Sequence, residues 1–212
     1  MQATLQDNTL RVKDLSLSAA TKKIAIDCEM MRSNIGSVLG RVSIVNYEGE
    51  TVLDTFVCYP GPVIVTKTNK EHSRIRWEDI EPQNGARPFS EVQTTLIELL
   101  RDRILIGHDI QKDLKAIAMD LSAHVERLEG RGITRTIQPL RLDVSVRDTQ
   151  KYSGYRQYAI RGAHQGPNLK NLALNVLRCR IKEGRISSLE DAVATMQIYR
   201  KAEADIDREQ GH

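Results

Sequence analysis

Hydrophobic positions recur along this chain with two spacings, and their alternation sets out its elements. Residues 24–31 (Ile24-Ala25-Ile26-Asp27-Cys28-Glu29-Met30-Met31) are a short apolar run without Gly or Pro, flanked by Lys22-Lys23 and then by Asn34 and Gly36. That pattern predicts a buried strand. Residues 38–47 predict a second strand, closed by the turn Glu48-Gly49-Glu50, and residues 51–59 a third. Three β-rich runs with short turns predict an antiparallel meander. Residues 60–88 carry Pro60, Pro62, Pro82, Pro88 and the only tryptophan, Trp77, and predict a long connection. From Ser90 the spacing of Val92, Leu96, Leu99 and Leu100 predicts a helix, with Ser90 and Gln93 matching a capping box. Residues 104–106 predict a short buried strand, residues 109–119 a helix, 120–131 a helical or irregular stretch, 140–146 a strand and 147–166 a loop rich in Tyr, Arg and Gly. Pro167 opens a further helix through Leu177. Ser187 and Glu190 form a second capping box ahead of a long helix to about residue 206. Strands first, then strands alternating with helices, predict an α/β domain whose mixed sheet carries helices on its faces.

Two carboxylates break the first strand. Side chains alternate along a strand, so Asp27 and Glu29 share one face. Two like charges there repel, and each resists leaving water without compensation. A hard divalent cation such as Mg²⁺ or Mn²⁺ answers both problems. An edge strand with a solvated acidic face is the alternative reading of the same residues.

The chain has 212 residues, 40% hydrophobic and 28% charged, enough for one domain with a sizeable core. No apolar run reaches the length of a membrane helix, and the first eighteen residues lack the apolar segment of a signal peptide. The expected division is a lead-in over 1–21, a single domain over 22–207 and a tail over 208–212. Cys28, Cys58 and Cys179 are odd in number and outside any metal-ligand spacing, which predicts free thiols in a reducing, intracellular setting, nucleus or cytoplasm. The net charge of +3 is uneven: residues 1–130 hold 16 Lys/Arg against 19 Asp/Glu, and residues 131–212 hold 15 against 9. An acidic site beside a basic surface suits a polyanionic substrate; ordinary surface charge is the other reading.

Asp113, in Gly107-His108-Asp109-Ile110-Gln111-Lys112-Asp113, and Asp191, in Ser187-Ser188-Leu189-Glu190-Asp191, supply two further acids. Each alone reads as an ordinary helix carboxylate. Together with AIDCEM at 25–30, GRVSIVNYEG at 40–49, ILIGHDIQKDLKAI at 104–117, RDTQKY at 147–152, PNLKNLA at 167–173 and SSLEDAVATMQIYR at 187–200, they make a specific pattern. That pattern resembles the DEDD superfamily of 3′–5′ exonucleases, in the branch of the ribosome-biogenesis and interferon-stimulated RNA exonucleases. The resemblance covers most of residues 22–201 in the family's order. It implies an RNase H-like α/β fold. It also implies a two-metal site of Asp27, Glu29, Asp113 and Asp191, in which Asp27 bridges two Mg²⁺ or Mn²⁺ ions. Glu29 and Asp191 would hold the ion carrying the attacking water, and Asp113 would act at the other. The implied reaction is hydrolysis of phosphodiester bonds at single-stranded 3′ ends, RNA before DNA.

One position departs from the family. The general base of the histidine-type members falls at Ile186, and that of the tyrosine-type members at Ser187. Neither residue accepts the proton, and a positioned base is worth about 10²–10⁴-fold in rate. Reduced activity is therefore expected, with His164 as a candidate substitute. His108 matches a family histidine that looks structural there, and His124 reads as a surface residue. The family also places Met30 beside the terminal nucleotide. The mixture of cations and aromatics at Arg147, Lys151, Tyr155 and Arg156 suits a single strand held by charge and stacking; a surface loop packed by tyrosines fits it equally. Two other functions fit the chain: a nucleic-acid-binding pseudo-nuclease that has lost turnover with its base, and a protein-interaction module using the 60–88 connection. No protein partner is named by the sequence, and no membrane partner is expected.

Overall fold

The structure, a computed structural model, describes residues 19–59, 61–68, 73–130, 139–160, 166–181 and 187–211. The strands are β1 (Lys23–Ser33), β2 (Gly36–Val45), β3 (Thr51–Cys58), β4 (Val65–Lys67), β5 (Arg87–Pro88), β6 (Ile104–Gly107) and β7 (Ser145–Asp148). The helices are α1 (Phe89–Leu100), α2 (Gln111–Ile117), α3 (Leu121–Leu128), α4 (Leu169–Leu172), α5 (Ser188–Lys201) and α6 (Glu203–Gln210). The sheet order is β5-β3-β2-β1-β6-β7, with β4 paired to the far end of β1. β1, β2 and β3 are antiparallel neighbours, the expected meander, whereas β6 and β7 run parallel to β1.

The pleat of β1 sorts its side chains between two helical layers. Ile24 and Ile26, with Leu39, Val42 and Ile44 of β2, pack under α1 through Phe89, Val92, Leu96 and Leu99 and under α2 through Ala116 and Ile117. On the other face Ala25, Val45 and Ile106 pack under α5 through Ala192, Met196, Ile198 and Tyr199. Asp27 and Glu29 follow Ala25 on this second face. Burying a side chain such as Ile or Leu contributes about 1.5–3 kcal/mol. The two apolar layers therefore fix the register that aims both acids toward α5.

Several elements differ from the sequence expectation. The α1 cap is Pro88, which makes no side-chain cap. Gln93 instead donates through Nε2 to the carbonyls of Ile117 (2.6 Å) and Met119 (2.9 Å), satisfying carbonyls that the end of α2 leaves open. Ser187 does cap α5, but only by position, with no side-chain bond. The long final helix breaks at Ala202 (φ −135°, ψ 25°) into α5 and α6. β7 begins at Ser145, five residues after its expected start. The helix at 169–177 is one α-turn followed by a π-turn that ends at Arg178 (φ 58°). The expected tail at 208–212 is partly structural, because α6 runs to Gln210. Gln210 Oε1 accepts from Asp148 N (2.8 Å), and its Nε2 donates to Asp148 O (3.2 Å).

Candidate active site at the carboxyl ends of β6 and β7

Parallel strands in an α/β sheet present ligands at their carboxyl ends, and here the carboxyl ends of β6 and β7 lie side by side, level with the middle of β1. β6 ends at Gly107, where a Cβ would meet Ile110 Cβ at 2.6 Å, so only glycine lets the chain turn so tightly into α2. Asp109 takes a left-handed φ of 56° in that turn. Asp113 then falls in the first turn of α2 and is 8% exposed. On β1, Asp27 and Glu29 are half-buried. Asp27 lies opposite Ser43 of β2, and Ser43 Oγ meets Ser188 Oγ of α5 at 2.7 Å. This contact docks the first turn of α5, which carries Asp191, against the strand beside Asp27. Asp191 is 3% exposed.

The charges of these acids overlap. Burial pushes Asp113 well above the usual carboxylate range, helped by the charges of Asp109, Glu29 and Asp148 and opposed by Lys112. The Cys28 thiol is likewise raised, first by burial and then by Asp113, Asp27 and Glu29. Among the described residues, no three His, Cys, Asp or Glu side chains form a metal-binding group. The donor chemistry nevertheless fits a hard cation. The donors are carboxylate oxygens, and a cation would offset the burial and the like charges that raise Asp113.

The structure adds an acid that the sequence reading left out. Asp148, 3% exposed at the end of β7, accepts through Oδ1 from the backbone N of Asp109 (3.0 Å) and of Gln150 (3.0 Å). Its Oδ2 stands 3.7 Å from Lys151 Nζ. Its place in the RDTQKY stretch was the one signal the sequence offered. His108 is held as the resemblance implied, with Nδ1 3.0 Å from Thr149 Oγ1, which donates to Gly107 O (3.1 Å).

Met30, next to Glu29 in β1, lies in the wall of a cavity of about 580 Å³ shared with Ile35, Lys112, Lys115, Met119, Asp120 and His124; none of the four acids is in that wall. His124, expected as a surface residue, therefore faces this cavity. Two of the expected substrate contacts are corrected. Arg147 is 7% exposed, and its Nε donates to Asp207 Oδ1 of α6 at 2.7 Å. Tyr155 is 6% exposed, and its hydroxyl donates to Ile198 O at 2.8 Å. Both side chains are committed to the interior, so neither meets a substrate in this arrangement. Lys151 and Arg156 are exposed. Ile186 and His164 lie outside the described residues.

The fold is the RNase H-like α/β fold. The catalytic unit of Neurospora crassa Pan2, with its protease and nuclease domain, superposes with a TM-score of 0.64 at 22% identity, covering 94% of this chain and 30% of that one. The Saccharomyces cerevisiae Pan2 pseudoubiquitin hydrolase-RNA exonuclease module in complex with AAGGAA RNA gives 0.61 at 21% identity, covering 94% and 31%. In sequence the chain is similar to RNA exonuclease 4. It is 33% identical over 210 residues to the Neurospora crassa protein, covering 98% of this chain and 45% of the relative. It is also 33% identical over 195 residues to the Saccharomyces cerevisiae protein, covering 88% and 56%. The chain thus spans about half the length of these relatives. No family model matches it.

Proposed function

We propose that this chain is a 3′–5′ exonuclease domain that hydrolyses RNA with Mg²⁺ or Mn²⁺, at a rate reduced by the isoleucine at the general-base position. The observation that supports this reading is Asp113 of α2 within electrostatic reach of Glu29, with Ser188, three residues before Asp191 in α5, against the Ser43 that lies opposite Asp27. Similarity to RNA exonuclease 4 over 98% of the chain supports the reaction class and RNA as substrate.

Asp27, Glu29, Asp113 and Asp191 would hold the ions. Two bound divalent ions supply charge neutralisation at the phosphate, an acidified water and stabilisation of the leaving 3′ oxygen. The chain's own residues do the rest. Met30 and Met119 offer a polarizable apolar wall to a base. Lys112 and Lys115, on the same cavity, attract the phosphate. Burial around Asp113 and Asp191 lowers the local dielectric, which would strengthen their hold on a bound cation. Ile186 offers no proton acceptor, so proton removal falls to solvent or to another group.

The test is the degradation of a single-stranded RNA, labelled at its 5′ end, in Mn²⁺ or Mg²⁺. Wild type should shorten the RNA one nucleotide at a time from the 3′ end, and Asp27→Ala should not. Equal rates for the two proteins would remove catalysis by this site. Salt-dependent RNA binding without any product would favour the pseudo-nuclease reading.

A further inference from the structure

Beyond the acid site, β1 continues into a polar surface. At its far end Arg32 lies directly opposite Ser37 on β2 and directly opposite Lys67 on β4. The three side chains therefore form one row across three strands. Both cations are exposed. Among the described residues neither Arg32 nor Lys67 has a carboxylate within salt-bridge distance. Like charges directly opposite each other on a sheet are destabilising. The fold accepts this repulsion with no counter-charge in the row.

Arg32 and Ser37 of this row also wall a cavity of about 400 Å³, together with Ser33, Gly36 and Thr66; Lys67 stands opposite Arg32 beside it. Gly36 and Ser37 also line the larger cavity that holds Met30, Lys112 and Lys115. The two spaces adjoin at Gly36 and Ser37. Cations paired with hydroxyl donors and no acid describe a site for an anion, and guanidinium suits a phosphodiester in particular.

We propose that Arg32 and Lys67, with the Ser37 and Thr66 hydroxyls, form a subsite for a backbone phosphate of a nucleic-acid strand whose 3′ end lies at the Met30 cavity. The subsite lies outside the four acids and rests on the exonuclease reading for its occupant. Its role is to grip the strand. It adds affinity for chains long enough to span both cavities and gives nothing to a mononucleotide.

The experiment measures binding of fluorescein-labelled single-stranded RNA of about twelve nucleotides to the full chain in EDTA, across a salt series, for wild type, Arg32→Ala/Lys67→Ala and Arg32→Lys/Lys67→Arg. The alanine pair should bind about tenfold more weakly, and the slope of log affinity against log salt should shrink by about 0.7, the value for one lost phosphate contact on a single strand. The charge-preserving pair should stay close to wild type, and a nucleoside monophosphate should bind all three proteins alike. Removing the repulsion should leave the melting temperature of the alanine pair equal to or above that of wild type. Unchanged affinity and slope in the alanine pair, with wild type binding RNA, would overturn the subsite alone. A melting temperature several degrees lower would overturn it too, by making the row structural. A wild type that neither binds RNA in EDTA nor degrades it with Mn²⁺ would overturn the exonuclease reading and the subsite together.

Discussion

Ser43 on β2 and Ser188 on α5 meet through their hydroxyl oxygens at 2.7 Å, so the strand that faces Asp27 is joined to the helical turn that carries Asp191. Ser43 also donates to Asp54 Oδ1 (2.9 Å), which receives Arg41 Nε at 2.8 Å. Ser43 is thus oriented independently of α5. Ser188→Ala should cost about 1 kcal/mol, the net worth of one buried hydrogen bond, and lower the melting temperature by about 2–4 °C. If the bond positions Asp191, kcat should fall more than this small stability loss explains, with KM for RNA nearly unchanged. Thermal melts and steady-state kinetics on the same preparation separate the two effects.

Asp113 carries an unusual pH signature. Its folded-state pKa is raised, so the fold disfavours the ionised form. The stability of the metal-free protein should therefore fall as pH climbs from the ordinary carboxylate value of about 4 toward the raised one. Asp113→Asn removes that penalty. In EDTA at neutral pH it should melt about 2–4 °C above wild type, and the difference should vanish near the acid end. Adding Mn²⁺ should raise the melting temperature of wild type more than that of the variant, which keeps Asp27, Glu29 and Asp191. A variant less stable than wild type in EDTA would show that the carboxylate is held by hydrogen bonds it needs.

The opposite sign applies at the other end of β1. Burial alone would raise Asp207 and Glu203, but hydrogen bonds from Lys23 to both, from Arg147 and Tyr199 to Asp207 and from Tyr47 to Glu203 outweigh it and hold both carboxyls below their usual range. Acids with depressed folded values stabilise above the unfolded value of about 4 and lose that contribution as pH falls through the folded one. Asp207→Asn should cost about 1.5–3 kcal/mol at neutral pH, the range for hydrogen bonds to a charged group, and flatten the acid limb of the stability curve. Urea midpoints between neutral and strongly acidic pH would measure both.

Ile186→His restores the proton acceptor that the family places there. Activity with Mn²⁺ should rise by about 10²-fold or more if the rest of the site is assembled, with a new limb in the pH–rate profile near the histidine value of about 6.5. No gain would mean that the loss of the base is not what limits the rate.

The apolar skeleton and the acid pattern were legible because both follow from short-range rules. Alternation along 24–31 put Asp27 and Glu29 on one face, and the structure places that face under α5. The misreadings share a cause, which is that a distant element decided the outcome. Ser90 and Gln93 have the letters of a cap, but the carbonyls of Ile117 and Met119 claim Gln93. Arg147 and Tyr155 look like surface nucleic-acid contacts until α6 supplies Asp207 and α5 supplies the Ile198 carbonyl. Asp148 was passed over for the converse reason. In sequence it is one acid in a polar run, and only the adjacency of β6 and β7 reveals that it holds the Asp109 turn. Alternation likewise gives no sign that Arg32 would face Lys67, since β4 comes from within the long connection.

The grip of Gln210 on both backbone polar groups of Asp148 changes what counts as the working unit of this chain. Every recognisable motif ends by residue 200, so an excised fragment chosen by motif would stop near there and keep all four acids. Such a fragment would lack the clasp that fixes the end of β7, and with it the anchor for the turn leading into Asp113. The catalytic letters and the scaffold that aims them therefore have different boundaries, and a domain cut at the first would be complete in composition and slack in geometry.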